Sequence, residues 1–222
     1  MVPDVRPAGT VRRRDVVLTT LLLAVVGALF MLYGPLNHGP ARWVARTSLD
    51  EHIPLVTPLV VPYVSALALG PVTLLVFLAR SVRLAQSALL AAILLLIVAY
   101  ACYFFAQTHV ARPVVPGDDV FARMLRGVYA NDEAYNCFPS LHVGSAVIIA
   151  IHWLRLHRKA GAYVAAWCVL IIISTVFVRQ HYLADVLAGL LLAGAACWAA
   201  PRLLARVIRP AQAQAPAPAP AE

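Results

Sequence analysis

Two histidines and one aspartate are the residues of this sequence best suited to acid–base or nucleophilic chemistry. His181 and Asp185 are four residues apart, a spacing that puts both side chains on one face of a helix. An aspartate beside a histidine can hold the imidazole in one tautomer and stabilise its cation. His142 is the second histidine, at the start of an apolar run. The three residues therefore predict either a catalytic group or a polar cluster that joins two helix ends.

Three other residues have the chemistry of an anion site. Ser140 follows Pro139, a pair typical of a helix start, where free N–H groups and the positive end of the helix dipole favour phosphate. Arg112 and Arg179 carry guanidinium groups, which bind phosphate through two parallel hydrogen bonds. Each feature alone also fits a capped helix or an arginine at a lipid head group. Their combination with the histidines and the aspartate, all predicted on one side of the membrane, is less ordinary than any of these features alone.

The segments that must position these residues are strongly apolar. Of the 222 residues, 62% are hydrophobic and only 13% are charged, whereas a soluble domain carries about 25% charged residues. The composition therefore predicts a membrane protein. The formal net charge of +8 is distributed between apolar runs and forms no basic face, so we do not expect nucleic acid as a partner.

Six apolar stretches are close to the length of about 20 residues that crosses a bilayer. Their approximate bounds are 16–36, 59–79, 86–106, 139–156, 160–178 and 181–200. The fourth stretch is the weakest because several polar residues interrupt it. We predict an all-α fold, a bundle of six transmembrane helices.

Three parts of the chain are expected to differ in character. Residues 1–15 form a cytoplasmic N-terminal segment, and residues 16–209 form the six-helix membrane domain. Residues 210–222 are rich in Pro and Ala and lack large apolar side chains, so we expect a disordered cytoplasmic tail.

The distribution of Lys and Arg predicts the orientation of the bundle. If the N-terminus is inside, twelve of the 18 basic residues lie in inner segments, in agreement with the positive-inside rule. Both termini are then cytoplasmic, and the two long connections, at about 37–58 and 107–138, lie outside. Both histidines lie at the outer ends of their helices. We therefore expect an active site on the extracytoplasmic face of the plasma (inner) membrane.

The order of the polar residues along the chain resembles a known family. That family, the type 2 phosphatidic acid phosphatase superfamily, has the motifs Lys-x6-Arg-Pro, Pro-Ser-Gly-His and Ser-Arg-x5-His-x3-Asp. This sequence has Arg-Pro at 112–113, Pro-Ser-Leu-His at 139–142 and Arg-Gln-His-Tyr-Leu-Ala-Asp at 179–185. The surroundings of the second and third motifs, and Asp-Glu-x-x-Pro at 50–54, look most like the branch related to inositol phosphorylceramide synthase. The resemblance spans roughly residues 48–189.

Three positions depart from those motifs. Phe105 stands where the first motif has lysine, and Thr175 stands where the third has arginine. Leu141 replaces the glycine of the second motif. Two phosphate-binding cations of the family are therefore missing. Arg179 could replace one of them only if the chain leaves the helix before His181, because a residue two positions away faces another side of a helix.

The resemblance implies a catalytic role for three residues. His181 would be the nucleophile that attacks phosphorus and forms a phosphohistidine. Asp185 would orient and activate that imidazole. His142 would protonate the leaving oxygen and then take the proton of the incoming acceptor.

The resemblance also implies how the substrate is bound. Ser140, Arg112 and Arg179 would hold the phosphoryl oxygens, and neither a metal ion nor another cofactor would be required. The expected partners are the bilayer and a lipid phosphate substrate.

The identity of the acceptor leaves several functions open. If water resolves the phosphohistidine, the protein is a lipid phosphate phosphatase, which we favour because hydrolysis needs no second binding site. If an acceptor alcohol does, it is a phosphotransferase of the inositol phosphorylceramide synthase type. The missing cations keep a third alternative open, a non-catalytic membrane lipid carrier that retains the fold.

Overall fold

The computed structural model describes residues 12–208, and within that range the fold is all-α, as predicted. Nearly all of the N-terminal segment and the whole Pro/Ala-rich tail lie outside the described residues. A short 3₁₀ turn at Thr57–Leu59 precedes the fourth helix. The α-helices are α1 (Arg13–Met31), α2 (Tyr33–Leu36), α3 (Ser48–Glu51), α4 (Val60–Arg80), α5 (Val82–Phe105), α6 (Val120–Asn131), α7 (Leu141–Leu156), α8 (Arg158–Phe177) and α9 (Leu183–Ile208).

Five helical segments are long and apolar enough to cross a membrane. They correspond to five of the six stretches that the sequence predicts as spans. Their bounds are Arg13–Leu36, Thr57–Arg80, Val82–Phe105, Arg158–Phe177 and Leu183–Val207.

Helix α7 is shorter than the predicted fourth span. It has 16 residues, which correspond to about 24 Å at 1.5 Å per residue, less than the ~30 Å of a hydrocarbon core. Ser140 is not part of the helix but its N-cap, and its Oγ accepts a hydrogen bond from Val143 N at 3.3 Å. The helix ends at Leu156 because His157 is extended and caps α8 instead. Whether α7 is a sixth span stays a prediction.

Helices α7 and α8 form a tight antiparallel hairpin. Gly161 permits this approach, since a Cβ atom there would lie 2.6 Å from the backbone nitrogen of Leu154. On its other sides α7 packs against α5 and α9. Gly144 has a similar role, since a Cβ atom added at this position would lie 2.6 Å from the side chain of Leu95 in α5. Small residues at helix interfaces are typical of membrane bundles because they let the backbones come close.

Helix α1 packs mainly against α5, and most of its other residues are exposed. A buried polar contact fixes the two helices near the start of α1. Gln86 is fully buried and donates to Thr19 Oγ1 at 3.1 Å and to the carbonyl of Asp15 at 3.2 Å. Such interhelical hydrogen bonds set the register of two apolar helices that would otherwise slide.

The two long connections before α4 and before α7 meet at one end of the bundle. Gln107, just after α5, joins them with both ends of its amide. Its Nε2 donates to the carbonyl of Leu36 at 2.7 Å and to Asn136 Oδ1 at 2.9 Å. Its Oε1 accepts from the backbone N–H of Asn136 at 2.9 Å. These contacts tie the end of α2 to the segment that leads into α7.

Candidate active site

The turn between α8 and α9 presents the first histidine of the site. Arg179 adopts a left-handed backbone conformation with φ 54°. The N–H groups of Gln180 and His181 both donate to the carbonyl of Thr175, at 3.0 and 3.2 Å, which closes the turn. Helix α9 begins only at Leu183. The expectation that His181 lies on the same helix as Asp185 is therefore wrong, because the chain turns before the helix starts.

Asp185 is nevertheless next to His181, because it caps its own helix. Its Oδ2 accepts from the backbone N–H of Tyr182 at 2.8 Å, which satisfies one of the free donors at the start of α9. The same Oδ2 lies 3.5 Å from His181 Nδ1. That separation exceeds the 2.7–3.2 Å typical of a hydrogen bond, but catalytic hydrogen bonds often tighten only when substrate binds.

Two buried atoms of this pair have no hydrogen-bond partner among the described residues: His181 Nδ1 and Asp185 Oδ1. Both side chains are buried, the carboxylate completely. A small rotation of the imidazole would pair Nδ1 with the carboxylate. Because Asp185 faces Nδ1, Nε2 is the nitrogen left for attack on a substrate.

His142 is the second residue of α7 and faces the first histidine. The two imidazole centroids are 6.2 Å apart, with the ring planes at 57°. The His142 ring stacks on Tyr63 of α4, with a centroid distance of 4.4 Å and an interplanar angle of 21°. The stacking partner fixes the plane of the His142 ring. The two rings can therefore contact one small group from two sides.

The start of α7 and the start of α9 are held together by their backbones. The N–H of Ser140 donates to the carbonyl of Asp185 at 3.1 Å. Gly189, one turn further along α9, makes the approach possible, since a Cβ atom there would lie 2.8 Å from the Ser140 carbonyl oxygen. This contact brings His142 and His181 together although 39 positions separate them in the sequence.

A cavity of about 890 Å³ reaches both histidines. Its polar end is formed by His142 and His181 together with Tyr33, Asp132 and Asn136. The rest of its wall is mostly apolar and comes from α1, α4, α5, α7 and α8. Such a cavity fits a molecule with a small polar end and a long apolar part.

Ser140 is fully buried and is not among the residues that line the cavity. The two residues after it, Leu141 and His142, do line it. The first N–H groups of an α-helix have no partner within the helix. An anion at this helix start would therefore be bound by the backbone N–H groups of the first turn of α7, with Ser140 as the cap of the helix.

Arg112 is close to the site, but its guanidinium group donates hydrogen bonds to other residues of the chain. Its Nη1 donates to the carbonyls of Asp132 at 2.6 Å and Tyr129 at 3.2 Å. Its Nη2 donates to the carbonyl of Glu133 at 3.1 Å and to Gln180 Oε1 at 2.7 Å. The guanidinium thus connects the segment after α6 to the residue that precedes His181.

Arg179 is bound in a similar way on the other side of the turn. Its Nη1 donates to the carbonyl of Asp50 at 2.8 Å, and its Nη2 donates to the carbonyl of Ile53. The non-helical turn that the sequence required before His181 exists, but it directs this guanidinium to the loop after α3. Neither Arg179 nor Arg112 is among the residues that line the cavity. Direct phosphate binding by either arginine stays a prediction, and the contacts favour a positioning role.

Asp50 completes the attachment of that loop to α9. It is fully buried, and its carboxylate accepts from Thr47 N, from Thr47 Oγ1 and from the backbone N–H of Leu183, at 2.7, 2.6 and 2.9 Å. Burial acts to raise the pKa of Asp50, but these hydrogen bonds and the nearby Arg179 outweigh it and hold the pKa below its usual value. The sequence placed Asp50 in a family-like segment without a role.

The positions where the family has lysine and arginine serve other purposes here. Phe105 is at the end of α5 and its side chain is exposed. Thr175 is fully buried, donates its hydroxyl to the carbonyl of Ile172 and supplies the carbonyl that closes the turn before His181. Asp132 is a site residue that the sequence patterns did not indicate, because it lies in an irregular segment outside the motifs. Tyr63 follows Pro62 in a family-like segment, where the sequence assigned it no role.

Among residues 12–208, no group of three or more His, Cys, Asp or Glu side chains is arranged to hold a metal ion. The prediction that the reaction requires no metal ion stays a prediction.

Comparison with known proteins identifies the family. A model of the PAP2 superfamily, the type 2 phosphatidic acid phosphatases, matches residues 34–199, a range that contains both histidines, Asp185 and both arginines. The match identifies the superfamily but does not identify a branch within it. No curated protein and no solved structure matches the chain. Members of the superfamily are generally phosphatases or phosphotransferases. The chain belongs to the PAP2 superfamily.

Proposed function

We propose that this protein is an integral membrane enzyme that cleaves lipid phosphates through a phosphohistidine on His181. The observation that carries the proposal is the cavity, which has the two histidines at its polar end and a mostly apolar wall along the helices. An apolar wall would contribute little to the binding of a water-soluble phosphate ester, which has no apolar chains. A lipid phosphate would place its phosphate between the histidines and its chains along the apolar wall.

The arrangement of the helices offers a route for the lipid from the bilayer. Both α1 and α4 line the cavity, while α1 packs mainly against α5 and α4 packs against α5, α7 and α8. Phe30 of α1 and Leu67 of α4 belong to the cavity wall and are also 59% and 74% exposed. We propose that the lipid enters laterally between these two helices.

The first chemical step forms the covalent intermediate. His181 Nε2 attacks phosphorus, and the bond between phosphorus and the oxygen of the lipid alcohol breaks. The electron pair stays on that oxygen, which takes a proton from His142. Asp185 stabilises the positive charge that develops on the His181 ring.

The second step releases the phosphoryl group. His142, now neutral, takes a proton from a water molecule while the water oxygen attacks phosphorus. The bond from phosphorus to His181 Nε2 breaks, its electron pair returns to the nitrogen, and inorganic phosphate leaves. We propose that the free N–H groups at the start of α7 hold the phosphoryl oxygens in both steps. Water is the simplest acceptor, so we propose a phosphatase.

The arrangement of the last three helices supports a sixth span. The start of α7 is bonded to the start of α9, and α8 connects the end of α7 back to that same point. If α8 crosses the membrane, α7 crosses it too, which gives six spans. With the Lys and Arg asymmetry, we propose that the histidines face the extracytoplasmic side.

The sidedness can be tested by labelling single cysteines in intact cells. Asp118 lies on the proposed outer side and Arg158 on the proposed inner side, and both side chains are exposed. A cysteine at 118 should react with an impermeant thiol reagent, and one at 158 should not. The reverse pattern would overturn the proposed orientation.

The proposed activity can be tested with a matched pair of substrates. Purified protein in EDTA should release phosphate from dioleoylphosphatidic acid and act far more slowly on glycerol 3-phosphate, which has the same leaving-group oxygen and no chains. His181→Ala should abolish release from both. Equal rates on the two esters would contradict the role of the cavity. No cleavage of any lipid phosphate, with or without an added acceptor alcohol, would instead favour the non-catalytic carrier.

A further inference from the structure

The cavity that opens at the histidines continues far along α4. Tyr63, which stacks on His142, and Phe77 both line the cavity and are 14 residues apart on that helix. At 1.5 Å per residue this separation corresponds to about 21 Å, roughly two thirds of the ~30 Å of a hydrocarbon core. The proposed reaction takes place at the outer end of this space and does not explain its inner part.

Phe77 closes the inner end of the cavity. Its side chain is 1% exposed, and two nearby lining residues, Thr73 and Leu89, are also buried. Two rings of α7 that do not line the cavity pack against Phe77. The centroid of His152 lies 6.2 Å and that of Trp153 lies 5.8 Å from the centroid of the Phe77 ring. The inner end is therefore a packed wall of aromatic rings.

Hydrogen bonds fix the two rings that support Phe77. Trp153 Nε1 donates to Thr73 Oγ1 of α4 at 3.0 Å. His152 Nδ1 lies 2.8 Å from a carbonyl of its own helix, to which it must donate. Its Nε2 then accepts from the Ser87 hydroxyl of α5 at 3.1 Å. Because three helices hold these rings, Phe77 has little freedom to move away when a ligand contacts it.

The distance from the histidines to Phe77 matches the length of one extended hydrocarbon chain. A carbon–carbon bond of ~1.5 Å advances an extended chain by about 1.25 Å, so about 21 Å holds about 16 carbons. Gly70 lies half-way along this path and lines the cavity. Among the described residues, a Cβ atom added at Gly70 would meet nothing within 4 Å beyond the adjacent backbone of its own helix. The middle of the path is therefore open.

We propose that the inner part of the cavity binds one extended chain of the lipid phosphate and that Phe77 ends this chain site, so that the enzyme selects its substrate by chain length. This inference rests on the proposed function and specifies the apolar part of its substrate, a chain of about 16 carbons.

The selection follows from packing rather than from the hydrophobic effect. A chain that moves from the bilayer into the cavity exchanges one apolar surrounding for another, so burial contributes little to the choice. A chain that ends short of Phe77 leaves a void whose wall lacks contact atoms. A longer chain must bend or displace packed side chains.

Linear alkyl monophosphates measure the preferred length directly, because each has one chain and one phosphate. They would be presented to the purified protein at a constant mole fraction in detergent micelles, with chains from about 8 to about 20 carbons. We expect kcat/KM for phosphate release to be highest near 16 carbons and about 10-fold lower at about four carbons more, the cost of overfilling a packed site. A kcat/KM that does not depend on chain length would contradict the proposal.

Gly70→Phe is the informative variant. Its ring would block the cavity about 10 Å from the level of Tyr63, so the preferred chain should shorten to about 8 carbons. On that short chain kcat/KM should be at least the wild-type value. Val72→Phe is the matched control, because residue 72 is on the same helix, is 54% exposed and is not part of the cavity wall. An unchanged preference in Gly70→Phe, or an equal loss on all chains, would overturn the proposal.

Phe77→Leu should move the preference in the opposite direction. Leucine keeps apolar contacts with the rings of His152 and Trp153 but leaves room at the inner end. The preferred chain should therefore lengthen by about two carbons. Opposite shifts in Phe77→Leu and Gly70→Phe cannot result from a general loss of folded protein. A Phe77→Leu variant that prefers the wild-type length would show that this residue does not end the chain site.

Fluorescence of Trp153 tests the chain site without turnover. It becomes the only reporter when the other three tryptophans are replaced by phenylalanine: Trp43, Trp167 and Trp198. The ligands are alkyl phosphonates, which have no ester bond to cleave, with bromine at the end of the chain as a quencher. A phosphonate of about 16 carbons should quench Trp153 strongly, and one of about 8 carbons should quench it weakly.

The same two variants give this binding measurement its control. Quenching by the long phosphonate should be lost in Gly70→Phe and kept in Val72→Phe. Equal quenching by the long and the short phosphonate would overturn the chain site whatever the activity. Length-dependent quenching by a protein that releases phosphate from none of the monophosphates would overturn the proposed function alone.

Discussion

Two loops flank the turn that carries His181, and each is held by an arginine that donates to backbone carbonyls. Arg179 holds the loop after α3, and Arg112 holds the segment after α6. An aspartate accompanies each of them: Asp50 in α3 and Asp132 directly after α6. The carboxylate of Asp50 is fully buried with three donors around it. That of Asp132 lines the cavity, and within residues 12–208 it accepts hydrogen bonds through Oδ1 alone.

This difference separates an aspartate that holds the site together from one that lines the cavity. A buried carboxylate whose oxygens are all satisfied stabilises the fold and offers nothing to a ligand. A fixed carboxylate with a free oxygen on a cavity can be used for recognition. We therefore expect changes at Asp50 to affect folding more strongly than changes at Asp132.

The largest effect is expected from Asp50→Asn. Asparagine has one acceptor oxygen, so its NH₂ must face either Thr47 or the N–H of Leu183, both of which are donors. We expect a loss of about 2 kcal/mol or more in the free energy of unfolding and nearly complete loss of activity, because the start of α9 is no longer fixed. Denaturant unfolding in detergent and phosphate release measure both.

Glu51→Gln is the control for this variant. Glu51 is next in sequence, exposed, and only loosely paired with Arg46 at 3.5 Å, so its replacement should change stability by less than about 0.5 kcal/mol. If Asp50→Asn were as stable and active as Glu51→Gln, the description of Asp50 as a structural carboxylate would be wrong.

A smaller effect is expected from Arg179→Lys. Lysine keeps the charge but cannot donate to the carbonyls of Asp50 and Ile53 with two nitrogens at once. If Arg179 positions the turn, kcat should fall about 10-fold with little change in KM, since the transition-state geometry suffers and lipid binding does not. A phosphate ligand would instead raise KM as well, and that result would restore the role that the sequence suggested.

The sequence anticipated the helices and the histidines better than the arginines. Apolar runs of about 20 residues have few alternatives to membrane helices. The spacing of His181 and Asp185 correctly predicted that they are neighbours, although the helix starts only after the histidine. The partners of Arg112 and Arg179 could not be predicted, because they are carbonyls of irregular loops that no periodicity describes. The short α7 has a local cause, since Ser140 is a cap rather than part of the apolar run.

The smallest expected effect concerns the pH dependence of stability. Hydrogen bonds lower the pKa of Asp50 below its unfolded value of 3.8, so its stabilising contribution is complete above that value and is lost as the pH falls through the folded pKa. Burial raises the pKa of Asp132, so that group disfavours the folded state as the pH rises through about 4.

The two asparagine variants should therefore alter the acid side of the stability curve in opposite directions. In Asp50→Asn, the loss of stability on acidification should be smaller than in the wild-type protein. In Asp132→Asn, that loss should be slightly larger. Thermal unfolding between about pH 3 and pH 6 provides the measurement, in the range where these groups titrate. Changes of the same sign would show that the two carboxylates do not differ as described.

The central claim is that His181 forms the covalent intermediate and that His142 transfers protons, and trapping the intermediate tests it most directly. Phosphatidic acid labelled with radioactive phosphate would be mixed with the protein and quenched rapidly in alkali, in which phosphohistidine is stable. His142→Ala should accumulate the label with p-nitrophenyl phosphate, whose leaving group needs little protonation, because loss of the base slows the second step. His181→Ala should never become labelled with either substrate. Acid-labile, alkali-stable label in His181→Ala would contradict the account.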